Sequence, residues 1–189
     1  MLLVYAHPNK NGHCGYLLKQ ICKKLDTSST SYTLIDLYEM KFNPVLSFTD
    51  YDDLKKLFLK DSVKKIQKQI ALENDIIIIH PMWWFGPPAI LKGFLDIVFS
   101  AGFAFRYIKK GPFSHYPQKL LKGKRAKVYI TAGGPWFLYK LTELMLGASP
   151  VKHSLSFCGI STKTYYVGNA RRLTSRNKHV IERLVKRSL

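Results

Sequence analysis

The stretch Asp75-Ile76-Ile77-Ile78-Ile79-His80-Pro81-Met82-Trp83-Trp84-Phe85-Gly86-Pro87-Pro88-Ala89-Ile90-Leu91-Lys92-Gly93-Phe94-Leu95-Asp96 decides the fold. Its apolar start reads as a buried parallel strand, running into an aromatic loop and then a helix that begins near Pro88. Fixed φ angles at Pro87 and Pro88 hold the loop still and set the helix's first turn. An ordinary core has little use for consecutive bulky rings, whereas ligands of open α/β sheets bind at the strands' carboxyl ends. Trp83, Trp84 and Phe85 are therefore read as a platform for a large flat ligand rather than as core aromatics.

Outward from this segment, strand and helix patterns alternate. Residues 2–6 read as a first strand, 15–25 as a helix and 31–37 as a second strand. Residues 38–61, with Phe42-Asn43-Pro44 and the acidic Asp50, Asp52 and Asp53, read as an excursion carrying a short helix. Residues 62–73 then place Val63, Ile66, Ile70 and Ala71 at helical spacing. Downstream, 127–131 is the fourth strand and 164–167 the fifth, and Val180, Ile181, Leu184 and Val185 give a C-terminal helix its apolar side. Alternation of this kind, with near-continuous apolar strands, predicts an α/β fold with a parallel sheet covered on both faces. No repeat or boundary interrupts it, so residues 1–189 are expected to form one domain.

Hydrophobic content of 47% and charge of 22% are globular values, and no run of about 18 apolar residues offers a membrane span. The opening Met1-Leu2-Leu3-Val4-Tyr5 lacks the basic flank of a signal peptide and reads as strand, so a cytoplasmic location is expected. Cys14, Cys22 and Cys158 have no metal-ligand spacing and fit reduced thiols, with Cys14 and Cys158 as small packing residues. A net charge of +18 invites nucleic acid, but the basic residues are dispersed, with local density at 109–110, 119–127 and along 171–187. Solvated helix surface, steering of an anionic ligand such as a phosphorylated dinucleotide, or docking on an acidic partner explains them without nucleic acid. His80, His115, His153 and His179 lack paired ligand spacing, so no metal site is expected, and His115 is read as a loop residue. There is no G-x-S-x-G elbow, and the strand-end loops are poor in carboxylates, which disfavours hydrolytic chemistry.

Three strand-end loops converge on one edge. Ala6-His7-Pro8-Asn9-Lys10-Asn11-Gly12-His13-Cys14-Gly15 opens a helix, whose unpaired N–H groups and dipole attract anions; Lys10, Asn11 and His13 can add donors. Neither G-x-G-x-x-G nor a Walker sequence is present. The third loop, Thr131-Ala132-Gly133-Gly134-Pro135, offers a backbone able to lie flat beside a ligand.

Taken together, these loops make the sequence resemble the flavodoxin-like NAD(P)H:quinone oxidoreductases, the family of DT-diaphorase, bacterial modulators of drug activity and ancillary subunits of glutathione-gated potassium efflux systems. The carriers are Ala6-His7-Pro8, Pro81-Met82-Trp83-Trp84-Phe85-Gly86 with Pro88-Ala89-Ile90-Leu91-Lys92-Gly93, Gly102-Phe103-Ala104-Phe105, Thr131-Ala132-Gly133-Gly134 and Phe157-Cys158-Gly159. The resemblance implies a five-stranded sheet in order 2-1-3-4-5. It implies a flavin whose phosphate is held by His7, Asn11, Gly12, His13 and Cys14. Pro81, Met82, Trp83, Trp84 and Phe85 would flank the isoalloxazine, and Thr131, Ala132, Gly133 and Gly134 would close the other side of its polar edge. Tyr139 matches a tyrosine whose hydroxyl reaches the N1–C2=O region; six residues on, where fuller relays carry histidine, this chain has Met145.

By the same resemblance the activity is two-electron hydride transfer from NADH or NADPH to a quinone or other flat aromatic acceptor. It follows ping-pong kinetics, because donor and acceptor share one ring face. FMN is expected over FAD, since the chain is short and shows no further adenosine-binding segment. A homodimer is expected, because Phe103, Phe105, Tyr107, Phe113 and Tyr116 load one aromatic loop region. The alternative is an ancillary subunit whose basic surface docks on the cytosolic face of a membrane cation-efflux protein. An electron-carrier flavodoxin fits less well, as such carriers tend to be acidic and lack the Trp-Trp pair.

Overall fold

The computed structural model describes residues 1–47, 56–146 and 149–189. Five strands form a parallel sheet: β1 (Leu2–Tyr5), β2 (Thr33–Asp36), β3 (Asp75–Pro81), β6 (Arg125–Thr131) and β7 (Ser161–Val167), in the order β2-β1-β3-β6-β7. This is the 2-1-3-4-5 arrangement expected from the sequence, with every neighbouring pair parallel. Between the strands lie α1 (His13–Thr27), α2 (Asp61–Leu72), α3 (Ala89–Val98), α4 (Trp136–Leu146) and α5 (Pro150–Cys158), and α6 (Ser175–Ser188) follows β7.

The strand sequences explain the two layers. Successive side chains alternate faces, so Leu2, Val4, Ile76, Ile78 and Val128 pack with Ile66 and Ile70 of α2, Leu91 and Phe94 of α3 and Leu155 of α5. Leu3, Tyr5, Ile77, Ile79 and Tyr129 pack on the other side with Leu17 and Ile21 of α1 and Ile181 and Val185 of α6. Both faces of Ile76-Ile77-Ile78-Ile79 are thus buried, which is why that run carries no polar alternation. On α6, Ile181 and Val185 are buried while Val180 is exposed, so the apolar side is narrower than expected.

One element departs from the reading as loop. Residues around His115 form an antiparallel hairpin, β4 (Phe105–Lys110) with β5 (Phe113–Lys119), in which Ile108 faces Tyr116 and Lys110 faces Phe113. Gly111, in the left-handed region at φ 57°, makes the reversal. His115 is therefore a strand residue, edge-on to the Tyr107 ring at 6.2 Å. Asp50, Asp52 and Asp53 and part of the expected short helix lie outside the described residues.

Candidate functional site

Register brings the strand-end loops to one level. Tyr5 lies opposite Ile79 and Pro81 opposite Thr131. Beyond these pairs, Ala6 N–H donates to the Ile79 carbonyl at 3.0 Å, Met82 N–H to that of Thr131 at 2.7 Å, and Ala132 N–H to that of Val167 at 2.9 Å.

The first loop ends in an open helix terminus. Gly12 caps α1 without a side-chain hydrogen bond, and no acidic residue stands in the first turn. The initial N–H groups of a helix have no partners inside it, so the positive end of α1 lacks an anion from its own first turn. Gly15 is required by close approach: a Cβ there would sit 1.8 Å from the Lys10 carbonyl oxygen. His13 is buried at this end, and its Nε2 has no hydrogen-bond partner among the described residues. Burial lowers the His13 pKa and the Asn177 amide partly offsets it, so the ring is neutral at pH 7. Cys14 Sγ lies 3.2 Å from Thr131 Oγ1, and burial pushes the thiol up to about 12. It is thus a neutral packing group joining two of the loops. Asn11 N–H donates to Asn9 Oδ1 at 2.8 Å, an Asx turn that sets the loop's shape. Lys10 is not the free donor expected, because its Nζ pairs with Asp36 at 2.9 Å and with Glu39.

The second loop is a tight reversal. Trp83 and Gly86 exchange two backbone hydrogen bonds of 3.0 Å, and the residues between them, Trp84 and Phe85, both have positive φ, 49° and 61°. This is the two-residue geometry normally given to Asn-Gly or Gly-Gly, so placing aromatic residues there strains the backbone. Their side chains gain nothing from a core: Trp83, Trp84 and Phe85 are 45%, 99% and 67% exposed. Two neighbours steady the turn. The Trp83 ring lies 6.0 Å from His7 and the Phe85 ring 6.1 Å from Tyr139. His7 Nδ1 accepts from Asn9 N–H at 2.9 Å, which keeps the neutral ring's proton on Nε2; burial lowers its pKa.

At the third loop Gly134 N–H donates to the Tyr139 hydroxyl at 3.1 Å, so this donor, expected to face a ligand, faces the phenol instead. Gly133 has open space above its α-carbon. Tyr139 lies on α4, where position 145 is six residues on and about 240° further round the helix. The two positions therefore do not share a face. Trp136 and Phe137, at the start of the same helix, are exposed beside the loop.

A fourth strand-end loop escaped the sequence reading. After β7, Asn169 N–H donates to the Gly134 carbonyl at 2.8 Å and Ala170 N–H to that of Ala132 at 2.9 Å. Gly168 permits this contact, since a Cβ there would lie 2.3 Å from the Trp136 nitrogen. The signal was available in Gly168-Asn169-Ala170-Arg171-Arg172: a glycine, an amide and two guanidinium groups at a strand's carboxyl end. A cavity of about 920 Å³ lies elsewhere, lined by Leu95, Phe99, Phe105, Tyr107 and Phe157 among others. Among the described residues no group of three or more His, Cys, Asp or Glu side chains could hold a metal ion.

Comparison with known proteins agrees with this fold. The profile of a family described by its flavodoxin-like fold matches residues 1–187. The NAD(P)H dehydrogenase (quinone) 1 of Cavia porcellus is 30% identical over 198 residues, covering 89% of this chain and 69% of that protein. Smu.1420 from Streptococcus mutans UA159 superposes with a TM-score of 0.82 at 29% identity, over 98% of this chain and 96% of that one. An FMN-dependent NADH-azoreductase from Bacillus anthracis str. Ames Ancestor, solved in complex with FMN, shares the fold at 18% identity, with a TM-score of 0.73 over 98% and 97% of the two chains.

Proposed function

Since this chain belongs to the flavodoxin-like family matched over residues 1–187, we propose that it is a flavin-dependent NAD(P)H:quinone oxidoreductase. The observation that carries the reading is the strained aromatic turn at 83–86, which holds Trp84 and Phe85 in the open between His7 and Tyr139. Backbone strain at exposed aromatic residues is retained where a ligand uses it. The residues present fit FMN. The uncapped end of α1 and the orphaned, buried Nε2 of His13 suit a phosphate, and the aromatic turn suits a three-ring system.

A flavin bound there supplies the two-electron chemistry between nicotinamide donor and quinone. The chain does the rest. Gly12, His13 and Cys14 hold the phosphate through their backbone at the α1 terminus, with His7 and Asn11 beside it. Pro81, Met82, Trp83, Trp84 and Phe85 shield one side of the ring system from water. Thr131, Ala132, Gly133 and Gly134 bound its polar edge. Tyr139 donates its O–H at that edge, and the Gly134 N–H donating into the phenol oxygen strengthens the phenol as a donor. Cation-free donors of this kind stabilise charge that develops during transfer. Were NAD(P)H and the quinone to bind in turn on the side that the aromatic turn leaves open, the kinetics would be ping-pong.

The test is the spectrum of the purified protein before and after NADH or NADPH under argon. Oxidised flavin bands that bleach with either nucleotide and return on adding a quinone are expected. Absence of flavin, together with failure to quench the fluorescence of added FMN or FAD, rejects the reading. Chromatography of the released cofactor decides between FMN and FAD.

A further inference from the structure

α1 and α6 pack side by side on one face of the sheet, across from α2, α3 and α5, and their outward sides are cationic. Lys19, Lys23 and Lys24 of α1 and Arg183, Lys186 and Arg187 of α6 are all exposed. Among the described residues none of the six makes a hydrogen bond or an ion pair. The charges of the two helices form one patch, because Lys23, Lys24 and Lys186 line the same small cavity of about 170 Å³ at the seam. Only two acids stand on these helices, Asp26 and Glu182, and Glu182 is already held by the Tyr16 hydroxyl at 2.5 Å. The macrodipole accounts for cations in a helix's last turn, here Lys24, Lys186 and Arg187. It does not account for Lys19, Lys23 or Arg183, which stand before that turn.

The kind of partner follows from what the patch lacks. α1 exposes no large apolar side chain and α6 only Val180, whereas protein interfaces draw their affinity from buried aromatic and apolar anchors and are poor in lysine. Two helices side by side also present a broad face rather than a ridge fitted to a nucleic-acid groove. Flexible lysines spread over such a face match a surface whose negative charge is diffuse. An anionic bilayer is such a surface, and it attracts each Lys or Arg brought near it. We propose that the α1–α6 face docks reversibly on the headgroups of a membrane rich in anionic lipid. At 1.5 Å per residue, Lys19 and Lys23 lie about 10 and 16 Å along α1 from Gly12, which caps that helix at the strand-end site. Docking therefore holds the site close to the lipid surface. Under the reductase reading, acceptors dissolved in the bilayer then lie near it, although the docking does not rest on that reading.

Cosedimentation of the full chain with lipid vesicles tests the docking without any turnover. At physiological ionic strength the protein is expected to bind vesicles of phosphatidylcholine mixed with phosphatidylglycerol and to leave vesicles of phosphatidylcholine alone. Added salt should release it. Each Lys or Arg near such a surface is worth about a fivefold change in partitioning, so Lys19→Gln, Lys23→Gln, Arg183→Gln and Lys186→Gln combined should weaken binding on the order of 100-fold or more. Removing as many charges from the opposite layer, by Lys60→Gln, Lys64→Gln, Lys65→Gln and Lys68→Gln before and along α2, should cost less than about tenfold, since those cations lie beyond a Debye length from the lipid. Exchanging lysine for arginine, and the reverse, at the first four positions should leave binding intact, which separates loss of charge from a folding defect. Equal binding to both kinds of vesicle, no binding to the mixed ones, or equal losses in the two sets of glutamine variants overturns the proposal. So does tighter binding to polyglutamate or to duplex DNA than to the mixed vesicles, since the face then serves an acidic protein or a nucleic acid. Flavin that neither nucleotide bleaches strikes the reductase reading instead, and the vesicles still judge the face.

Discussion

At the scale of single residues the phenol of Tyr139 and the imidazole of His80 make opposite uses of their surroundings. Tyr139 stands half-buried at a loop edge, its oxygen accepting from Gly134 N–H and its ring against Phe85. If the phenol donates to the flavin edge, Tyr139→Phe removes one donor and frees the Gly134 N–H to take part of its place. One lost oxyanion-type donor costs up to about 10²–10³ in rate, and with the amide substituting we expect about tenfold slower flavin bleaching by NAD(P)H in a single turnover. Flavin occupancy should be unchanged; equal rates in the two proteins would reduce Tyr139 to a packing residue. His80 is wholly buried, its Nδ1 donating to the Pro81 carbonyl at 2.8 Å, and burial pushes its pKa down to about 4. The unfolded chain binds that proton near 6.5, so stability from the neutral ring is complete above pH 6.5 and is lost as pH falls toward 4. The loss is about 3 kcal/mol over the window. Urea midpoints at pH 7 and 4.5 should therefore diverge more in wild type than in His80→Gln. Parallel acid losses would assign the acid sensitivity to other groups.

At the scale of elements the aromatic reversal explains both what the sequence reveals and what it hides. Ile76-Ile77-Ile78-Ile79 announces a doubly buried strand because both faces of the sheet need apolar side chains, and Pro88 sits directly before α3, the helix it was expected to start. Trp84 and Phe85 do not announce a two-residue turn, because turn chemistry predicts Asn or Gly where φ is positive. Pro87 and Pro88 fix φ angles on the helix side of the loop, whereas the paired bonds between Trp83 and Gly86 close the turn itself. The β4–β5 hairpin was hidden for a different reason. It stands off the main sheet, so burial imposes no alternating pattern, and its aromatic residues read as loop. The reversal is testable as stored strain. Trp84→Asn keeps positive φ at lower cost and gives up a fully exposed ring, so the flavin-free protein should gain about 1 kcal/mol in urea unfolding while flavin affinity falls. A destabilised variant, or one with unchanged flavin affinity, would mean that the ring packs against something other than the flavin.

At the scale of the molecule the apolar surface is unevenly spread, and its placement bears on assembly. No described helix is long and apolar enough to cross a membrane, yet one described face carries much bare apolar area. Tyr107 and Tyr116 on the hairpin are 55% and 42% exposed. At the hairpin's base lies the 920 Å³ groove between α3 and α5, lined by Leu95, Phe99, Phe105 and Phe157. Large contiguous patches of this kind are uncommon on monomers and mark interaction surfaces, and a self-complementary patch closes most simply by two-fold symmetry. With a net charge of +18, two copies repel at long range, so the contact must be made by apolar burial rather than by charge pairing. We therefore expect a homodimer in which the hairpin of one copy helps to cover the acceptor side of the other. Static light scattering at working concentration should give twice the chain mass. Tyr107→Glu, placing a desolvated carboxylate in the contact, should shift the protein toward monomer and raise the quinone KM, with flavin content unchanged because no proposed flavin residue lies on the hairpin. A wild-type monomer with full quinone reductase activity would defeat this proposal, and a dimeric Tyr107→Glu with an unchanged KM would move the contact off the hairpin.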